Sequence, residues 1–140
     1  MNPLKGALMQ ARVLYGAFLV SWLLLTGVAY QFSGPAREVP KAIITALAIA
    51  AVLNVAIALF VRSRYISSGE DALGGNPEDA EALAKWRAGQ ITSFALAESV
   101  MLFGIALKFL GAEWKIAGPF FVVGLVLLLV WFPRLDVAEP

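Results

Sequence analysis

The chain has 140 residues and a formal net charge of +1, and 60% of its residues are hydrophobic, against about 45–50% in soluble domains. Near-neutral charge offers no basic surface for nucleic acid. The absence of Cys and His removes disulfides, thiolate chemistry, iron–sulfur clusters and the usual haem and zinc ligands, along with the commonest general base.

The charged residues are few and clustered, so residues 1–140 read as a single all-α integral membrane domain. Lys5 and Arg12 precede an uncharged run. That run is too long for a signal-peptide core and predicts a first span over about 14–32. Ser33-Gly34-Pro35 ends it, because Pro cannot continue a helix. Pro40 then opens a second span over 42–61, using the first turn, where its missing N–H costs nothing. Arg62 and Arg64 are expected to close it.

Residues 63–86 read as a cytoplasmic loop. Ser67-Ser68-Gly69 and Gly74-Gly75 mark turns. Asn76-Pro77-Glu78-Asp79 reads as the start of a short helix over 77–86, with Asn as cap and acids at the positive helix end. Its acids lack the ligand spacing of a calcium loop. Gly89 is a candidate kink before a third span over 91–110. A tight turn at Gly111–Lys115 leads to a fourth span over 116–132, with Pro119 in its first turn.

Two short turns and one long loop predict two antiparallel hairpins. The segments that share a side with the N-terminus carry Lys5, Arg12, Arg62, Arg64, Lys85, Arg87 and Arg134; the other side carries Arg37, Lys41, Lys108 and Lys115. By the positive-inside rule both termini are cytoplasmic, in a membrane of the bacterial inner type. Trp86, Trp114, Trp131, Tyr30 and Tyr65 sit near span ends, where aromatic rings favour the headgroup level. Trp22 lies mid-span and is expected to pack on a neighbour.

The third span carries one carboxylate, Glu98, near its middle. An acid there costs about 2.5–3.5 kcal/mol on insertion scales. No Lys or Arg shares its depth, so it is expected to be hydrogen-bonded to Asn54, Ser21 or a backbone carbonyl. A partner subunit or a bound cation is the alternative source of compensation. Glu98, Asn54, Ser21 and the adjoining Ser99 are the candidate ion or hydrogen-bond site. Gln90, Ser93, Ala97 and Gly104, continued by Lys108, share one helix face. Small residues let helices approach closely in lipid, so this face is a candidate packing seam. No metal site is expected.

Ala97-Glu98-Ser99 followed by Leu102-Phe103-Gly104 resembles the carboxylate helix of rotary ATP synthase c subunits. There a mid-membrane Glu precedes an aromatic–Gly pair and binds the transported proton or sodium ion. The likeness implies a protonatable Glu98. It covers about Ala97–Gly104 only: the Gly-rich partner helix of that family is missing, and the loop at 63–86 is foreign to it. The whole chain is not assigned to a rotor ring.

One Glu without His, Cys or an Asp partner in the membrane is not a catalytic set, so a non-enzymatic role is expected. The leading expectation is an accessory or structural subunit of a larger membrane complex, or a homo-oligomer. The alternatives are a proton- or cation-handling protein centred on Glu98, and a lipid or quinone binder with Trp22, Phe94 and Met101 around a cleft. The expected partners are the bilayer, other membrane subunits or further copies of the chain.

Overall fold

The computed structural model describes residues 2–136, so the last part of the polar tail, 137–140, lies outside it. The described residues are helical or irregular. Helix α1 is Pro3–Phe32 and α2 is Lys41–Val61. A π-helical segment, Arg62–Ser67, joins α2 to α3, Ser68–Gly75. Then come α4, Ala80–Phe109, and α5, Trp114–Val130. Three stretches are long and apolar enough to cross a membrane: α1, the continuous run Lys41–Gly75, and α4. The apolar helix α5 has 17 residues, about 25 Å.

α1 starts at Pro3, well before the expected span at 14. The Asn2 side chain accepts from the Leu4 N–H at 2.9 Å, and Pro3 occupies a first-turn position. Leu4, Ala7, Leu8 and Ala11 continue the helical spacing of apolar residues, and all four are buried. At 30 residues α1 is about 45 Å long, against a hydrocarbon core of about 30 Å. The excess belongs to a compact head at one end of the bundle.

That head replaces the expected flexible loop at 63–86. Arg62 and Arg64 do not end a helix, because the chain runs on through the π segment and Ser67-Ser68-Gly69 into α3. Packing overrides turn propensity here. Ile66 and Leu73 are buried in a cluster with Leu4, Leu8, Trp86 and Leu135. Gly69 lies so close to α4 that a Cβ there would stand 3.2 Å from the Trp86 Cβ. The separate helix expected at 77–86 is instead the first part of α4. Its cap is Asp79, not Asn76: the Asp79 carboxylate accepts from the N–H groups of Glu81 and Ala82, both at 3.0 Å. Asn76 turns the chain one step earlier, accepting from the Glu78 N–H. Gly89 does not break α4. It lets the π segment approach, since a Cβ there would stand 2.7 Å from Ile66 Cγ1.

Every other helix packs on α4. α1 runs parallel to it: Leu4–Ala11 meet the residues around Trp86 at one end, and Ala29 meets Leu107 and Ala112 at the other. α2 runs antiparallel, with Ile66 beside Gly89 and Ile44 and Leu47 against the Leu107 cluster. α5 also runs antiparallel, with Phe120 and Phe121 at Gly104 and Gly124 at Ala97. α4 and α5 therefore form a packed hairpin. α1 and α2 do not: each packs on α4 rather than on the other. Leu135 lies in the same cluster as Leu4, so both ends of the described chain sit at the head.

At the opposite end, the Arg37 N–H donates to the Gly111 carbonyl at 2.8 Å and ties the two connections together. Gly111 has φ of +100°, and a Cβ there would stand 2.7 Å from Arg37 Cβ. Gly111→Ala is expected to destabilise the bundle by about 1–3 kcal/mol through strain in this backbone region. Thermal unfolding in detergent, followed by circular dichroism, reads this as a lowered midpoint.

Candidate functional site

α4 positions the polar side chains of the bundle. Gln90, Ser93, Ala97 and Gly104 are all buried. Gly104 lies against α5, where a Cβ would stand 2.9 Å from both Phe120 and Phe121. One helix turn and more toward the head, Gly124 of α5 faces the Ala97 carbonyl and Met101. Ser93 satisfies itself by donating to the Gly89 carbonyl at 2.6 Å. Lys108 ends this face. It is 7% exposed, donates from Nζ to the Ala112 carbonyl at 2.9 Å, and lies 4.7 Å from the centre of the Trp114 ring. It ties the turn that follows α4 back onto the helix.

Glu98 is half-buried, and its Oε1 is buried without a hydrogen-bond partner. Helical repeat assigns the four expected site residues to two flanks of α4. On one flank Leu14 and Ile91 line a crevice between α1 and α4. Ser21 and Glu98 each follow about two helical turns further on and continue that flank. On the other flank Val61 and Thr92 line a crevice between α2 and α4. Asn54 and Ser99 continue that one in the same way, given the opposite direction of α2. Glu98 Oε1 accepts no hydrogen bond from Asn54 or Ser21. Ser99 donates to its own helix, at the Ala95 carbonyl, 2.8 Å away.

Trp22, expected to pack on a neighbour, donates from Nε1 to the Phe121 carbonyl of α5 at 3.0 Å. Thr26 in turn donates to the Trp22 carbonyl at 2.7 Å. Phe94 and Met101 are fully buried. Trp22, Phe94 and Met101 thus fill the bundle and do not frame an open cleft for a quinone or lipid.

Sequence reasoning missed three features. Gln90 is 2% exposed, and its Oε1 is buried with no partner. A Gln on the small-residue face was the available signal. It lines a crevice of about 50 Å³ with Gln10, Leu14, Arg87, Ile91 and Phe94. The second feature is an apolar groove of about 540 Å³ between α2 and α5, floored by Val100 and walled by Ala48, Ala51, Ala56, Phe120 and Val123. The third is the charged edge of the head. There the Arg62 guanidinium lies 4.9 Å from the centre of the Trp131 ring, and its Nη1 is buried without a hydrogen-bond partner. Trp86, expected at the headgroup level, is fully buried and donates from Nε1 to Glu70 Oε1 at 3.3 Å.

Among the described residues no group of acids could hold a metal ion. Searches against protein-family models, curated proteins and solved structures return no match to this chain.

Burial pushes the Glu70 carboxyl above its ordinary value, and the nearby Asp136 and Asp71 push the same way. The Trp86 hydrogen bond and Arg62 oppose them. The folded state therefore holds the Glu70 proton more tightly than the unfolded chain. Its contribution to stability is fully present below the unfolded value of about 4.3 and is lost as pH rises through the higher folded value. Glu70→Gln keeps an acceptor for Trp86 and removes the buried charge. Melting curves across pH should show this variant more stable than the parent at pH 8, with the gap closing below about pH 4. A gap that does not change with pH would contradict this account.

Proposed function

We propose that this chain is a non-enzymatic, four-span membrane protein, with α5 as its fourth crossing and both termini in the cytoplasm of a bacterial inner membrane. It works as an accessory subunit of a larger membrane complex or as the repeating unit of a homo-oligomer. The groove between α2 and α5 carries this reading. α2 is held along one edge by α4, and only Ala58 of its 21 residues is buried. The groove beside it is lined on the α2 side by Ala, Val and Leu59 and on the α5 side by Pro119, Phe120 and Val123, with no polar lining. Lipid supplies no hydrophobic drive between helices, so small-residue surfaces that let backbones approach are what select helix partners in a membrane. An Ala-walled groove about as long as the Ala48–Leu59 stretch, roughly 17 Å, offers such a surface to another helix.

Extraction in mild detergent followed by native mass spectrometry tests the proposal. A fixed-ratio complex with another polypeptide, or a defined homo-oligomer, is expected. Filling the groove with Ala48→Leu plus Ala56→Leu should weaken that assembly by about tenfold or more, since overpacking costs about 1–3 kcal/mol. Glu98→Gln should leave it intact. A monomer that stays alone at every concentration sinks the proposal.

A second reading is favoured by a different observation, the partnerless Oε1 of Glu98. In this reading Glu98 exchanges a proton or cation, with Ser21 beside it on the same flank. The likeness of Ala97–Gly104 to the c-subunit carboxylate helix supports it. Flux into proteoliposomes should fall by about tenfold or more in Glu98→Gln while assembly is retained. Unchanged flux would remove this reading.

A further inference from the structure

We propose that the flank between α1 and α4 is a water-filled entry from the head toward Glu98, closed partway by the ring of Phe94. The inference deepens the second reading above and rests on Glu98 as its exchanging group. Two of the buried polar atoms without partners lie on this one flank, Gln90 Oε1 and Glu98 Oε1. They are eight positions apart on α4, about 12 Å along the axis. Both are oxygens, so each needs a donor, and water is the donor small enough to reach them.

The head end of the flank has room for it. Gln10, Arg87 and Gln90 line the crevice there, whose volume is about 50 Å³. A water needs about 10–15 Å³ by the same measure, together with polar partners. Gln90 and Arg87 supply those partners from α4, and Gln10 supplies them from α1.

Phe94 closes the far side of this crevice. It sits one helical turn from Gln90 and one from Glu98, on the stripe that joins them. It is fully buried, and its ring centre lies 5.6 Å from that of Tyr15 and 5.7 Å from that of Phe18. An aromatic cluster of this kind admits no water while it is closed. Beyond it, Ser21 of α1 and Glu98 of α4 share the next stretch of the flank. The crevice holding Gln90, the aromatic plug and the carboxylate thus follow one another along a single seam.

The chain lacks Cys, so single cysteines report water access without background. Silver ion and a water-soluble methanethiosulfonate are applied to both faces of vesicles holding the full chain. Gln90→Cys should react within about tenfold of Gly75→Cys in the head, because thiol reactivity follows exposure to water. Leu102→Cys, on the lipid-facing side of α4, should stay unreactive. Glu98→Cys, and Ser21→Cys with Glu98 left in place, should react slowly with silver and speed up by about tenfold or more when combined with Phe94→Ala. Phe94→Leu, a milder change, should give an intermediate rate and serves if the Ala variant does not fold. The proposal is overturned if Gln90→Cys is as inert as Leu102→Cys. It is equally overturned if shrinking Phe94 leaves both deeper cysteines unchanged in a folded protein. A Phe94-gated seam combined with normal flux in Glu98→Gln would retain the entry and reject the ion reading. Lost flux with an ungated seam would do the reverse.

Discussion

The close approach of α4 and α5 is the constraint on which the bundle depends. Gly124 brings the α5 backbone against the Ala97 carbonyl, and Gly104 leaves room for the Phe121 ring; small residues of this kind are how helices gain contact in a solvent as apolar as themselves. Trp22 reaches across from α1 to a carbonyl of α5, so the third helix is fixed by a hydrogen bond to the pair. Once α5 occupies one face of α4, α1 and α2 must take the flanks on either side.

The head follows from length. α1 and α4 each have 30 residues, more than a bilayer accommodates, and their surplus turns lie side by side. Those turns are apolar enough to need a cover, which the π segment, α3 and Leu135 provide. The Asn2 and Asp79 caps let both long helices start cleanly in water. The result is a small soluble-type core, centred on Trp86, joined without a break to a membrane bundle. The π segment is where α2 widens its turn to enter that core, a departure from regular helix that is frequent at functional sites.

Much of the helical, membrane-spanning character was legible in the sequence, because an uncharged apolar run of about 20 residues matches the thickness of a bilayer and exceeds the length of most buried helices. The common face of Gln90, Ser93, Ala97 and Gly104 follows from spacing alone. The region 63–86 reads as a loop in sequence for a physical reason. Ser67-Ser68-Gly69 has the chemistry of a turn, and only the presence of α4 against Gly69 makes it helical. Likewise Asn76 and Asp79 are both good caps, and the choice between them depends on where α4 packs. For Glu98 the sequence supplied depth but not azimuth. Counting from the ends of a span says which residues share a level. It does not say which neighbouring helix each of them faces.

α2 is attached to the bundle along a single edge, between Pro40 at one end and the π segment at the other. It meets α5 only near its head end, where Ala58 joins the cluster of Leu128 and Trp131 and Arg62 lies over the Trp131 ring. Further from the head the two helices part, and the apolar groove opens between them. The width of that groove, unlike the α4–α5 spacing, is bounded on one side by a helix that starts at a proline and ends in a π-helical turn.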